Sequence, residues 1–171
     1  MNTEVQQKFE TYIIENQARF YRIAFSHTHN RDIALDAVQN AVVKGLEHYE
    51  ELRTPAYMDT WFYRILLNEC YGFIRFHKRE LAYEPQELYR ELENGKAAEQ
   101  IPEFQDKGEL EIYDLIHHLP PKMKTVVILR YYEELSLEDI AKIIPCSLSA
   151  VKYRLYAGLK HLEKRWKEAA K

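Results

Sequence analysis

Little in these 171 residues breaks a helix or crosslinks a chain: there are 5 Gly, 6 Pro and 2 Cys. Cys70 and Cys146 stand far apart and outside any CxxC pair, which argues against a disulfide scaffold and against zinc or redox spacing. Two reduced thiols are expected. No run of about eighteen apolar residues is present to span a bilayer. The opening Met1-Asn2-Thr3-Glu4-Val5-Gln6-Gln7 lacks the basic and apolar parts of a signal peptide. A cytoplasmic protein without membrane insertion is expected. Excess positive charge is also lacking: the formal net charge is -3, so the whole chain is not drawn to a polyphosphate backbone.

What is present is 46% hydrophobic and 30% charged, with 13 Tyr dominating the aromatics. With so few breakers, long helices fit this composition better than a sheet. The length allows one ordinary domain or two small ones. Charge divides the chain. Between Glu80 and Glu111 stand Glu80, Glu84, Glu87, Glu91, Glu93, Glu99, Glu103, Asp106, Glu109 and Glu111 against Arg90, Lys96 and Lys107, interspersed with Pro85, Gly95, Pro102 and Gly108. That is a linker composition. Lys142 to Lys171 reverses the sign, with Lys142, Lys152, Arg154, Lys160, Lys164, Arg165, Lys167 and Lys171 against Glu163 and Glu168. The reading is all-α: two small helical domains, residues 1–80 and 110–171, joined by an acidic linker over 81–109.

Apolar residues recur at helical spacing three times before the linker. The first set is Val5, Phe9, Tyr12, Ile13, Phe20, Ile23 and Ala24; the second is Leu35, Val38, Val42, Leu46 and Tyr49. A third helix, about Met58 to His77, is expected to bury Phe62, Ile65, Leu66, Cys70 and Phe73. Asn30-Arg31-Asp32 and Arg53-Thr54-Pro55 mark the breaks. After the linker, helices are expected over Leu110 to Leu119, stopped by Pro120-Pro121, then Lys122 to Glu133, Leu137 to Ile144 and Leu148 to about Lys167.

The last two form a helix-turn-helix. Ser136 caps a helix with Asp139 as its third residue, and Ile140, Ala141 and Ile144 form the inner face, with Ala141 allowing close approach. Pro145 ends that helix and Ser147 caps the next, leaving a turn of about three residues, the connection length of DNA-binding helix-turn-helices. On the second helix Val151, Leu155, Leu159, Leu162 and Trp166 share the packed stripe; Ser149, Lys152, Tyr153, Tyr156, Lys160, Lys164 and Lys167 share the other. The outer stripe has the hydrogen-bonding and cationic groups that a major groove requires. A solvated amphipathic helix would look similar on charge alone; exposed tyrosines beside Lys152, behind a capped short turn, favour DNA. Arg154, on the flank, suits phosphate. A few base contacts, each worth about 1–3 kcal/mol, give too little discrimination against a genome, so a second DNA-contacting element is needed.

The run Leu119-Pro120-Pro121-Lys122-Met123-Lys124-Thr125-Val126-Val127-Ile128-Leu129-Arg130-Tyr131-Tyr132, followed by Leu135-Ser136-Leu137-Glu138-Asp139-Ile140-Ala141, resembles region 4 of extracytoplasmic-function sigma factors. Asp36-Ala37-Val38-Gln39-Asn40-Ala41 is similar to the family's region 2.2, and Trp61-Phe62-Tyr63-Arg64-Ile65-Leu66-Leu67-Asn68 to regions 2.3 and 2.4. The resemblance covers about residues 5–78 and 110–166. Pro145 and Ala150 depart from it, standing where Gly or a small polar residue and Thr are usual.

The resemblance implies a sigma-70-type factor that binds RNA polymerase core and directs promoter-specific initiation. Asp36, Gln39, Asn40 and Val43 would dock on the clamp helices. Trp61, Arg64, Asn68, Tyr71 and Arg75, a stripe about 20 Å long, would melt and read the minus-10 element. Interleaved aromatic, Arg and amide groups suit single-stranded DNA; rim packing of Trp61 and Tyr71 is the alternative. Arg53 and Tyr57, in the loop Glu50 to Tyr57, correspond to the segment that captures a flipped base. Lys152, Tyr153 and Tyr156 would read minus-35 bases, with Ser149 and Arg154 on phosphate and Lys160 on the same face. Implied partners are polymerase clamp helices and flap, promoter DNA and an anti-sigma factor that could hold the protein at the membrane; the free chain would be a monomer. The acidic linker would pass near the polymerase active centre. No cofactor or metal is expected.

Two weak readers on one tether gain affinity only when both sites are presented at the right spacing, so specific binding is expected of the holoenzyme and not of the free chain. A one-component regulator, with residues 1–80 sensing a ligand and 110–171 binding an operator, is the alternative. An enzyme is the third reading: His27, His29, His48, His77, His117, His118 and His161 lack a partner set with metal-ligand spacing, and no nucleophile motif or Gly-rich phosphate loop appears.

Overall fold

The computed structural model describes residues 3–81, 112 and 114–171, with 77–81 as backbone only. The expected linker, past residue 81, and the start of the helix expected at Leu110 lie outside the described residues. The chain divides into two compact units, Met1–Pro102 and Glu103–Lys171. No strand occurs among the described residues.

The first unit is built from α1 (Thr3–Thr28), α2 (Arg31–His48) and α3 (Met58–Leu81), each packed on the other two. Two short 3-10 turns, Tyr49–Glu51 and Pro55–Tyr57, lie between α2 and α3. The α1–α2 corner follows from local chemistry. His29 takes a left-handed φ of 55° and its N–H donates to Phe25 O at 2.9 Å, ending α1 as a Gly usually would. Asn30 then caps α2 in extended geometry, its side-chain oxygen accepting from Ile33 N at 3.1 Å.

An aromatic core holds the unit together. Phe9 and Phe20 of α1 meet Phe62 of α3 at centroid distances of 5.8 and 4.6 Å, and Phe20 meets the fully buried Tyr63 at 6.1 Å. Burying each such ring contributes about 1.5–3 kcal/mol before its partner geometry is counted. The α3 face turned inward is therefore Phe62, Tyr63, Leu66, Leu67 and Cys70, while Ile65 and Phe73, expected inside, are only half-buried.

The larger correction concerns α2. Leu35, Val38, Val42 and Leu46 are not its packed stripe: Leu35 and Leu46 are each 40% exposed, and Val38 and Val42 are half-buried. Ala34, Ala37, Ala41 and Gly45 face the core instead. The bulky rings of α1 and α3 fill the interior, so α2 can approach only through small residues. Its large apolar side chains are left outward.

The second unit holds a short helical segment over residues 114–117, then α4 (Pro121–Tyr131), α5 (Leu137–Ile143) and α6 (Leu148–Ala169). Pro121 does not merely stop the preceding helix; it opens α4 one residue before Lys122, since a first-turn N–H needs no intrahelical acceptor. Helix α4 ends at Tyr131, short of the expected Glu133. It buries Thr125, Val126, Val127, Ile128 and Leu129 in succession, the pattern of a helix enclosed on all sides. Helices α4 and α5 both pack on α6.

Two expectations about this unit change. Ile143, not Ile144, completes the inner face of α5 with Ile140, because Ile144 is already extended (φ -98°, ψ 111°) ahead of Pro145. Ala141 of α5 is half-buried. A close approach of α6 to α4 occurs at Gly158, where a Cβ would stand 3.0 Å from Val127 Cγ2. Trp166 is 52% exposed, since every residue of α6 from Glu163 onward is exposed and nothing remains there to pack against.

Candidate nucleic-acid interface

In the second unit the sequence-predicted caps are both formed. Ser136 Oγ accepts from Asp139 N at 3.1 Å, and Ser147 Oγ accepts from Ala150 N at 3.1 Å. Each cap is worth about 1 kcal/mol. Between them Cys146 N donates to Ile144 O at 2.6 Å, so Pro145 sits in a tight turn that leads directly into α6. The turn is thus short, and Ser147 fixes its exit into α6, despite its departure from the usual small residue.

Helix α6 then separates its faces. Val151, Leu155 and Gly158 are buried, Leu159 and Leu162 half-buried; Ser149, Lys152, Tyr153, Tyr156 and Lys160 are exposed, with Tyr153 at 70% and Tyr156 at 61%. At a rise of 1.5 Å per residue, Ser149 to Tyr156 spans about 10 Å, close to the ~12 Å width of a major groove, and Lys160 lies about one turn farther along. Arg154 is half-buried, its guanidinium donating to Cys146 Sγ at 3.7 Å, which turns it back toward the helix start. Farther along, Lys167 is paired with Glu163 at 2.6 Å, so that end compensates part of its own charge.

In the first unit the stripe on α3 is mixed. Arg64, Asn68 and Arg75 are exposed, whereas Trp61 and Tyr71 are half-buried. Trp61 forms a T-shaped pair with Phe9 at a centroid distance of 5.7 Å, and Tyr71 one with His27 at 5.9 Å. Both rings are therefore oriented by packing and still present surface outward. Arg53 and Tyr57 are exposed on and beside the second 3-10 turn, Tyr57 at 54%. On α2 the residues Asp36, Gln39, Asn40 and Val43 are all exposed, Val43 at 53%. The structure adds Leu35 and Leu46 to that outward surface. Hydrophobicity alone assigns them to the core; the competing Ala34-Ala37-Ala41-Gly45 stripe is the signal in the sequence that points the other way.

Of the two free cysteines, Cys146 accepts from Arg154 beside α6, and Cys70 lies in the core. Cys70 is buried, and burial pushes its thiol up to about 12. No group of three or more His, Cys, Asp or Glu able to hold a metal ion occurs among the described residues. None of the described helices is long and apolar enough to cross a membrane.

A helix-turn-helix with an exposed polar second helix, in a chain whose other unit is a separate three-helix bundle, is the architecture of a transcription protein. Comparison with known proteins narrows the class. Residues 12–80 match the family model for Sigma-70 region 2, and residues 109–162 that for Sigma-70, region 4. The chain is 36% identical over 150 residues to RNA polymerase sigma factor SigV of Bacillus subtilis, covering 88% of this chain and 86% of that one. It is 30% identical over 138 residues to the ECF RNA polymerase sigma-E factor of Haemophilus influenzae, covering 76% and 72%. Among solved structures, the sigma factor RpoE in complex with the anti-sigma factor NepR from Bartonella quintana shares the fold, with a TM-score of 0.72 at 19% identity over 93% of this chain and 96% of that one. The chain belongs to the sigma-70 family, in its extracytoplasmic-function group: it is a sigma factor that directs transcription initiation at promoters.

Proposed function

We propose that residues 1–80 act as sigma region 2 and residues 110–171 as sigma region 4, joined by the acidic linker 81–109, and that the two are halves of one promoter reader assembled on core polymerase. In region 4, Lys152, Tyr153 and Tyr156 contact minus-35 bases in the major groove, Ser149 and Arg154 contact phosphate, and Lys160 reaches the groove edge. In region 2, Trp61, Arg64, Asn68, Tyr71 and Arg75 contact the melted minus-10 strand, with Arg53 and Tyr57 beside the flipped base. Asp36, Gln39, Asn40 and Val43 dock on the polymerase clamp helices, and region 4 on the flap.

The observation that carries this reading is the division of α6: the face away from its buried Val151 and Leu155 presents Lys152, Tyr153 and Tyr156 behind a short turn whose exit Ser147 caps. The protein has no catalysis of its own, resides in the cytoplasm and is a monomer when free. An anti-sigma factor restrains it; the solved relatives RpoE with NepR and CnrH with the cytosolic domain of CnrY are both complexes with a second protein.

Transcription in vitro with core polymerase on a promoter library tests the reading. Holoenzyme should select promoters, and Lys152→Ala with Tyr156→Ala should lower use of promoters that depend on the minus-35 element by about tenfold or more, at 1–3 kcal/mol per lost contact. Tight, sequence-specific binding by the free chain, or unchanged promoter choice in the double variant, would count against it.

A further inference from the structure

Arg154 of α6 is held by the turn that precedes its own helix: the guanidinium donates to Cys146 Sγ at 3.7 Å across eight residues of sequence. Cys146 is itself held. Its N–H donates to Ile144 O at 2.6 Å, and the next residue, Ser147, caps α6 by accepting from Ala150 N at 3.1 Å. The sulfur is thereby fixed relative to the first turn of the helix. Cys146 and Arg154 are both half-buried, whereas Ser149, Lys152 and Tyr153 beside them are exposed.

This placement runs against the helix dipole. A cation favours the C-terminal end of a helix, yet the N-terminal tilt of the side chain and the sulfur together keep this one at the N-terminal end. Among the described residues no carboxylate is paired with Arg154 to offset that cost. Sulfur is a weak acceptor, so it directs the guanidinium without neutralising it and leaves its other N–H donors for a second partner. The exposed Ser149 adds a hydroxyl and the exposed Lys152 another charge to the same end of α6. An anion is what this end lacks, and a phosphate matches the planar fork of donors.

We propose that Cys146 is a positioning residue for promoter binding: it holds the Arg154 guanidinium at the start of α6, aimed at one phosphate of the minus-35 duplex. A long side chain that meets a phosphate loses rotamer freedom, and the sulfur has removed part of that loss before DNA arrives. Cys146 itself touches no DNA. This rests on the reading of Arg154 as a phosphate contact and adds to it the group that aims the contact.

Binding of reconstituted holoenzyme to a duplex promoter that the wild type selects, measured over a range of salt concentrations, tests it. Arg154→Ala should weaken binding by about tenfold and lower the salt slope by about 1. Cys146→Ala should weaken it by about threefold and lower the slope in the same direction. The preference among minus-35 bases should stay as it was, since phosphate contacts carry no sequence information. Cys146→Ser, which keeps an acceptor in place, should restore affinity and slope. In the Arg154→Ala background, Cys146→Ala should cost nothing further, because the two side chains act as one unit. Unchanged affinity and slope in Cys146→Ala would overturn the assignment. So would an equal loss in the Arg154→Ala background, or an altered base preference with the slope intact, since either marks a sulfur that only packs the turn. Arg154→Ala with an unaltered slope would instead strike the underlying phosphate reading.

Discussion

Gly45 of α2 lies so close to the ring of Phe9 that a Cβ added there would overlap Cζ and stand 3.0 Å from Cε1. The ring cannot easily retreat, since Trp61 and Phe62 meet it at 5.7 and 5.8 Å. Overpacking of this kind costs about 1–3 kcal/mol, against about 1 kcal/mol gained from replacing a helical Gly by Ala. Gly45→Ala should therefore be net destabilising by about 1 kcal/mol. At Gly72 of α3 nothing lies within 4 Å of an added Cβ, so Gly72→Ala should stabilise by up to about 1 kcal/mol. Urea midpoints of the two variants should move in opposite directions; movement in the same direction would sink the packing argument.

The exposed side of α2 yields a second expectation. Val43→Asp and Leu46→Asp change side chains that are 53% and 40% exposed, so the melting temperature should shift little. Affinity for core polymerase should fall by about tenfold or more, because an apolar contact is replaced by a charge that binding must desolvate. Ala37→Leu, at a fully buried position, should do the reverse and destabilise the unit while altering no outward group. Binding measurements and melting curves on the same three variants separate the outcomes.

The two thiols should differ in reactivity. Cys70 is buried with its thiol pushed up to about 12, whereas Cys146 is half-buried in the turn before α6. A thiol reagent at neutral pH should modify Cys146 first and Cys70 only on unfolding. Mass mapping of the modified residue checks this, and early labelling of Cys70 would contradict its burial.

Acid should weaken the second unit through His117. Burial, then the nearby Lys124 and His118, lower its pKa from 6.5 to about 4. The unfolded chain thus takes up the proton first as pH falls, so stability is fully present above about 6.5 and declines toward about 4. His117→Gln should flatten that decline. Thermal unfolding at several values across this window would show it, and an identical slope in the variant would assign the loss to other groups.

Much of the fold was legible because it rests on local chemistry. Asn30, Ser136 and Ser147 each announce a helix start by residue type, and each does accept the expected backbone N–H. The inward side of α2 was not legible. Two stripes with the same period run along it, Leu35-Val38-Val42-Leu46 and Ala34-Ala37-Ala41-Gly45, and hydrophobicity alone selects the larger one. Which fits depends on the volume left between α1 and α3, a tertiary quantity set by Phe9, Phe20 and Phe62. The ion pair of Lys44 with Glu69 joins residues 25 apart in sequence on different helices, so no spacing rule pointed to it. The exposed face of α6 was readable from its Lys and Tyr spacing, but the exposure of Trp166 was not, because the stripe continues past the end of what it packs against.

The inversion of α2 divides the labour of one helix between two sets of positions that do not overlap. Small residues carry its attachment to the unit, and large or polar ones carry what it offers outside. Under the proposed docking of this face on polymerase, a lineage can strengthen or weaken its hold on that shared partner one outward side chain at a time without disturbing the packed side. Competing sigma factors in a single cell could be graded against one another by this route alone.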